Sequence, residues 1–226
     1  MNGVFSAALD LLVTGDADVY AIVFRSLAVS ACAILLAGSV ALPTGYLLAH
    51  GRFAGRNLCI TLIHTLTAVP TVVVGLLLFG LLSRQGALGG MGWLYTPAAL
   101  VLGQSLLAFP LVATLTHSAL SALDRRVIET ARSLGAGPVR AGFTLLVEGR
   151  VALSAAVIAA FGRIVGEVGC ALMVGGNIAG YTRTMSTAIA LESGRGEFAL
   201  SLALALVLLT VAMGINAGLR RVQGGR

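Results

Sequence analysis

Residues 124–150 read DRRVIETARSLGAGPVRAGFTLLVEGR and hold eight of the chain's 24 charged residues, which comprise 15 basic and nine acidic side chains. The chain as a whole is 58% hydrophobic and only 11% charged, with a mean hydropathy of +0.97. An apolar chain that gathers its charge in one loop presents that loop to water, and to whatever meets it there. Within the loop, Val127 to Ser133 predicts a short amphipathic helix, with Val127, Ala131 and Leu134 at helical spacing and Gly135 at a natural C-terminal stop. Ala136-Gly137-Pro138 then turns the chain, and Pro138 opens a second short helix. Two short helices around a glycine turn make a compact knob. The small side chains of Thr130 and Ala131 suit a seat in a groove, Glu129 and Arg132 would fix its register, and force on the knob would turn the spans attached to it.

Outside this loop the composition excludes a water-soluble globule, because 11% charged residues cannot cover an apolar interior of 226 residues. Charge-free windows of 26 residues (Ser26–Gly51), 27 (Asn57–Ser83), 39 (Gln85–Leu123) and 22 (Phe198–Leu219) each exceed the roughly 20 residues that cross a hydrocarbon core. A fifth apolar run from Arg150 to about Val174 is interrupted only by Arg163 and Glu167. The expectation is an all-α integral membrane domain over 1–226 with about five transmembrane helices, at about 22–49, 58–82, 97–122, 150–174 and 198–219. Residues 4–13 predict a short interfacial helix ended by Thr14-Gly15-Asp16, and the acidic start is read as an uncleaved anchor. Pro43, Pro70 and Pro110 lie inside the first three spans and are expected to bend them, around a path or for packing alone. Gly38, Gly45, Gly75 and Gly80 are expected to let helices approach closely.

All 15 basic residues are arginines, and ten of them (52, 56, 125, 126, 132, 140, 150, 220, 221, 226) fall in the first loop, the third loop and the C-terminal tail. With five spans these places share one side, which the positive-inside rule assigns to the cytoplasm. The N-terminus is then outside and the C-terminus inside. The net charge of +6 does not point to nucleic acid, since neither a soluble basic domain nor interleaved aromatics accompany it. Cys32, Cys59 and Cys170 sit singly in apolar segments and read as packing residues, without disulfide or metal spacing. His64 and His117 read as packed side chains. Arg163 and Glu167 stand four apart inside an apolar run, so they pair with each other or face a hydrated cavity. Two readings stay open: a pair that locks packing between protomers, or a gate where Arg163 attracts a passing dianion and Glu167 limits how tightly it binds. Gly175–Thr187, rich in Gly, Asn, Thr and Ser, reads either as an ordinary turn or, with Arg183, as an outer mouth offering donors to an oxyanion. No paired carboxylates at catalytic spacing, Ser-His-Asp set or P-loop occurs, so the chain does not hydrolyse ATP itself.

The loop resembles that of the permease subunits of ATP-binding cassette (ABC) importers, whose cytoplasmic "EAA" element runs Glu-Ala-Ala, three residues, Gly, nine residues, Ile, one residue, Leu-Pro. Here Glu129, Ala131 and Gly135 follow that pattern and Leu145 takes the place of Ile, whereas Thr130 replaces the second residue and Val147-Glu148 stand where Leu-Pro is expected. The run from Phe161 through Gly166-Glu167, and Gly176-Asn177-Ile178 through Tyr181-Thr182-Arg183 to Thr187-Ala188-Ile189 and Glu192, is similar to the molybdate, tungstate and sulfate branch. Within it the chain is most similar to tungstate permeases. Thr44-Gly45, Val69-Pro70 to Gly75 and Leu81-Leu82-Ser83-Arg84 extend the resemblance over nearly the whole chain.

The resemblance implies type I ABC importer permease architecture in a multi-pass subunit of a bacterial or archaeal plasma membrane. It implies a homodimer in the lipid bilayer, two ABC ATPase subunits on the cytoplasmic face and an extracytoplasmic oxyanion-binding protein. ATP and Mg would be used by the partner ATPase, and no cofactor is implied for this chain. The implied coupling residues are Glu129, Thr130, Ala131, Arg132 and Gly135, and the implied path or gate residues are Arg163, Glu167, Asn177, Thr182 and Arg183. A molybdate or sulfate machine of the same build, and an ATP-independent channel or small membrane enzyme, are the alternatives.

Overall fold

The structure, a computed structural model, describes residues 2–14, 16–124 and 126–224, with the side chains of 2–4, 9 and 222–224 excepted. Gly15 of the first turn and Arg125 and Arg226 of the arginine bias lie outside the described residues. The described chain is helical throughout: α1 Asn2–Val13, α2 Ala17–His50, α3 Arg56–Thr67, α4 Thr71–Leu82, α5 Pro97–Ser121, α6 Arg126–Ser133, α7 Pro138–Glu148, α8 Arg150–Val165, α9 Gly169–Gly175, α10 Met185–Arg195 and α11 Phe198–Gly224.

α2, α5 and α11 are long and apolar enough to cross a membrane. At 34 residues, α2 is about 51 Å long at about 1.5 Å per residue, so it overshoots a core of about 30 Å. Asp16 starts it by accepting the N–H groups of Asp18 (2.9 Å) and Val19 (3.1 Å), donors that the first turn otherwise leaves without partners. Two further apolar stretches are bent: α3 and α4 meet at 97°, and α7 and α8 at 66°.

The expected span at 58–82 is therefore two helices, broken across Ala68–Pro70. Pro70 supplies no N–H and disfavours helical backbone in the residue before it, so the break falls where its ring would enter the helix. Pro43 and Pro110 behave otherwise, and α2 and α5 run through them without interruption. The expected span at 150–174 is also divided, because α8 ends at Val165 and α9 begins at Gly169.

α2 against α5 is the spine of the bundle, with α8 packed on both. Their seam buries Ile34, Ala37, Ala41, Ala108, Val112 and Ala160. Gly45 permits this approach: a Cβ there would lie 2.6 Å from Thr116 and 2.8 Å from the carbonyl oxygen of Ala113. Gly75 does the same for α4 on α9, where a Cβ would stand 2.8 Å from the Cα of Cys170. Gly38 and Gly80, expected to act likewise, have nothing within 4 Å of the corresponding position. A second cluster joins α2, α4, α5 and α9 around Leu78, Leu100 and Val174, and a third joins α2, α10 and α11 around Val19, Met185 and Leu204. α1 lies along α11.

Candidate functional site

The knob is set by short-range chemistry. Asp124 Oδ1 accepts from the N–H of Arg126 at 2.9 Å and starts α6. At the far end Gly135 has φ +83°, its N–H donates to Arg132 O at 3.0 Å, and the N–H of Ala136 reaches back to Ala131 O at 2.9 Å. This paired 5→2 and 6→1 closure needs a left-handed residue, which glycine adopts at least cost. α7 begins at Pro138 on an extended Gly137. The packed side of the hairpin holds Ala131, Ala141, Gly142 and Leu145. Leu134 (82% exposed), Val139 (85%) and Phe143 (68%) stand outward. An apolar crown of this kind on a charged loop marks a surface that meets another protein.

α6 presents its expected docking residues on two faces. Thr130, Ala131 and Gly135 line an outer groove of about 630 Å³ against α7. Glu129 and Arg132 instead line a cavity of about 740 Å³ between the knob and the end of the bundle. The helical repeat accounts for this, since residues 129 and 132 lie roughly opposite 130 and 134 around an eight-residue helix.

Arg163 and Glu167 form an ion pair at 3.5 Å, but not as two residues of one continuous helix. Glu167 lies beyond the end of α8, where its Oε1 accepts the N–H of Cys170 at 3.1 Å and starts α9. Its carbonyl accepts the Ser186 hydroxyl at 2.6 Å, which brings in α10. A buried carboxylate that accepts a backbone N–H offers the chain an alternative to continuing the helix, which is the physical reason for the break. The side chains differ sharply in exposure, 3% for Glu167 and 60% for Arg163. An exposed guanidinium within an apolar span must face water or a partner rather than lipid.

Asn177, Thr182 and Arg183, expected at an outer mouth, are engaged in holding their own loop. Thr182 is fully buried; its hydroxyl donates to Gly175 O at 2.5 Å and accepts from the N–H of Ile178 at 3.0 Å. Asn177, at φ +48°, accepts the hydroxyl of Thr187 through Oδ1 at 2.9 Å, while its amide nitrogen is buried without a partner. Arg183 pairs at 3.1 Å with Glu192, which also meets Arg195 at 3.5 Å. Thr184 and Thr187 exchange hydrogen bonds as a capping box that opens α10. The donors proposed for an anion are thus turned inward by the loop's own requirements. Arg25 went unassigned in the sequence: from α2 it donates to Gly180 O at 2.8 Å and Arg183 O at 3.1 Å, clamping this loop. Only its position at the edge of a charge-free window marked it. His64 and His117, without an assigned role, meet edge to face at 5.8 Å between α3 and α5.

Broken and bent membrane helices around a charge pair of a buried glutamate and an exposed arginine, with a two-helix knob standing clear of them, define a polytopic membrane subunit built to be engaged from the aqueous side. Residues 41–221 match the family described as binding-protein-dependent transport system inner membrane component. The chain is 38% identical over 219 residues to the tungstate uptake system permease protein TupB of Peptoclostridium acidaminophilum, covering 97% of this chain and 96% of that one. It is 40% identical over 212 residues to TupB of Campylobacter jejuni, covering 94% and 89%. With the molybdenum transport system permease protein ModB of Escherichia coli K12 it shares 30% identity over 220 residues, covering 90% and 96%. An inward-facing structure of the MetNI methionine ABC transporter superposes with a TM-score of 0.71 at 20% identity, over 90% of this chain and 94% of that one, a likeness of fold. The chain belongs to the family of binding-protein-dependent transport system inner membrane components, and is a multi-pass, non-catalytic permease of a prokaryotic ABC importer.

Proposed function

We propose that this permease forms, as a homodimer, the transmembrane path for a tetrahedral oxyanion, tungstate first, and that a separate ATPase drives it through residues 127–140. The observation that carries the coupling role is the knob, with its closed glycine turn and apolar crown at Leu134, Val139 and Phe143. Support for the substrate comes from the relatives: two tungstate uptake permeases at 38% and 40% identity, against 30% for a molybdenum permease. The arginine distribution supports a cytoplasmic knob, with the N-terminus outside and the C-terminus inside. On this reading an oxyanion-binding protein delivers cargo to the outer face, and ATP with Mg acts only in the partner subunits. Arg163, half out of the protein surface beside a buried Glu167, is the cation that a dianion meets in the membrane. The pairing with Glu167 keeps that attraction weak enough for release.

Nothing moves unless the partner contacts the knob differently in two states of the cycle. Thr130, Ala131 and Gly135 in the outer groove, with the apolar crown beside them, make those contacts. Glu129 and Arg132 face the end of the bundle across the inner cavity. The test is reconstitution of the chain with its ATPase and binding protein in proteoliposomes, and measurement of ATP-dependent uptake of tungstate, molybdate and sulfate. Tungstate-selective uptake is the expected result. Selective uptake of another of the three keeps the machine and changes its cargo, and an assembled complex that imports none of them overturns the oxyanion reading.

A further inference from the structure

The cavity between knob and bundle is unlike the outer groove in its charge. Arg52 from the first loop, Arg56 from the start of α3 and Arg132 from α6 line it, with Glu129 the one acid among the described lining residues. Arg56 is partly committed, since Nε donates to Leu48 O at 2.7 Å and Nη2 to Ala49 O at 3.3 Å, closing the end of α2. Among the described residues Arg52, Arg132 and Glu129 take part in no ion pair, and the three pairs that do form all lie elsewhere. Arg52 and Arg56 also line a second hollow of about 430 Å³ along the first loop. Three guanidinium groups against one carboxylate, in a concave site, are matched by an anion with several acceptor oxygens, because planar N–H forks bind such oxygens in pairs.

We propose that this cavity is a binding site for a tetrahedral oxyanion group, held between Arg52 and Arg56 on the bundle and Arg132 on the knob. Such an anion bridges the moving element to the element it moves against. It therefore favours the knob position seen here over any position that separates Arg132 from Arg52, and slows the cycle in proportion to that difference in affinity. The ligand chemistry stands on the cavity, whereas the effect on pumping rests on the coupling role proposed for the knob. A free inorganic oxyanion and the phosphate of an anionic lipid both offer this chemistry.

The experiment uses the assembled permease–ATPase complex in nanodiscs without binding protein, free of nucleotide for binding and with ATP for hydrolysis, as wild type and as Arg52→Gln. Calorimetric titration with sodium tungstate, sulfate and inorganic phosphate in phosphatidylcholine nanodiscs is expected to show saturable binding that Arg52→Gln weakens about tenfold or more, the loss of one charge-assisted contact. Arg52→Lys should recover part of the loss. If no free anion binds, but phosphatidylglycerol nanodiscs lower ATPase activity relative to phosphatidylcholine in wild type and not in Arg52→Gln, the site is occupied by lipid phosphate. Equal binding by wild type and Arg52→Gln overturns the site. Absence of any free-anion or lipid effect overturns it as well. Because Arg52 lies outside the proposed path and coupling sets, ATP-dependent uptake by the same wild-type complex, reconstituted with its binding protein in proteoliposomes, tests the transport reading separately.

Discussion

Gly135 gives the most direct test of the knob, because backbone conformation and space make separable demands there. Its φ is +83°, yet a Cβ built on it would meet nothing within 4 Å. Replacement by alanine therefore creates no clash within the chain and acts through the left-handed backbone alone, at about 1–2 kcal/mol. A β-branched residue at positive φ costs more, while asparagine, which enters this region more readily, costs less. One to two kcal/mol shifts the balance between closed and opened turn by a factor of about 5–30. The turn is held by the Gly135-to-Arg132 and Ala136-to-Ala131 hydrogen bonds, so its opening displaces Leu134 and the start of α7 relative to α6. The expected order of coupling, read as oxyanion imported per ATP hydrolysed in proteoliposomes, is Gly above Asn above Ala above Val. Assembly is checked by co-purification of the ATPase, and basal hydrolysis should persist in every variant. Unchanged coupling in an assembled Gly135→Val complex would refute the assignment. Asn as damaging as Val would also refute the backbone argument, and would point to side-chain bulk against the partner.

Arg163→Ala should abolish uptake while the complex still assembles, and near-normal uptake in a stably assembled variant would end its role in the path. Glu167→Gln keeps the volume and the acceptor for Cys170 N–H but removes the charge opposite Arg163, so uptake should fall by more than the folded fraction does. A loss of uptake that tracks thermal stability alone would assign the pair to packing. Thr182→Val leaves the N–H of Ile178 and the carbonyl of Gly175 without their partner in a fully buried position, which should destabilise the permease by about 1–3 kcal/mol in thermal unfolding in detergent. Gly45→Ala should lower stability by about 1–3 kcal/mol through overpacking on α5, whereas Gly38→Ala on the same helix should be neutral or gain up to about 1 kcal/mol; equal effects would dismiss the close-approach account.

The parts legible in the sequence are those decided by neighbouring residues. α6, its stop at Gly135 and the restart at Pro138 follow from capping and turn chemistry within 13 residues, Arg126 to Pro138, and long charge-free windows need only counting. Pro43, Pro70 and Pro110 look alike in sequence, yet only Pro70 breaks its helix. The difference rests on packing, since α2 and α5 brace each other along much of their length while α3 buries none of its residues. The spacing of Arg163 and Glu167 reads as a pair on one helix face. The pair forms, but the carboxylate's other oxygen also caps the next helix, a choice that depends on its burial by distant chain. Asn177, Thr182 and Arg183 were legible as a polar loop, but not the direction in which their side chains turn. That direction is set by their partners Gly175, Ile178, Thr187 and Glu192, in a loop that Arg25, more than 150 residues earlier in the chain, clamps through the carbonyls of Gly180 and Arg183. The split of Glu129 and Arg132 from Thr130 and Ala131 was available from helical geometry. Which face meets the bundle was not.

The connections between knob and charge pair explain how one can act on the other. Gly149 joins α7 to α8 at the 66° bend, and a Cβ on it would lie 3.1–3.2 Å from Leu120, Leu123 and Leu145 O. The bend is thus seated on the end of α5, and α7 cannot swing without carrying α8 or parting that seam. α8, of 16 residues and about 24 Å, leads from the bend to Arg163. Beyond it Glu167 binds α9 through its carboxylate and α10 through its carbonyl. Gly169 at the start of α9 is packed so closely on α4 that a Cβ would come within 2.8 Å of Thr71 Oγ1, one residue past the Pro70 break. On the proposed coupling, displacement of the knob would reach the break between α3 and α4 through the close contacts at Gly149 and Gly169. In the proposed cycle, Glu167 is where rotation of α8 becomes rearrangement of α9 and α10. Glu167 is accordingly buried and bonded on two sides, while Arg163, its partner, stays exposed.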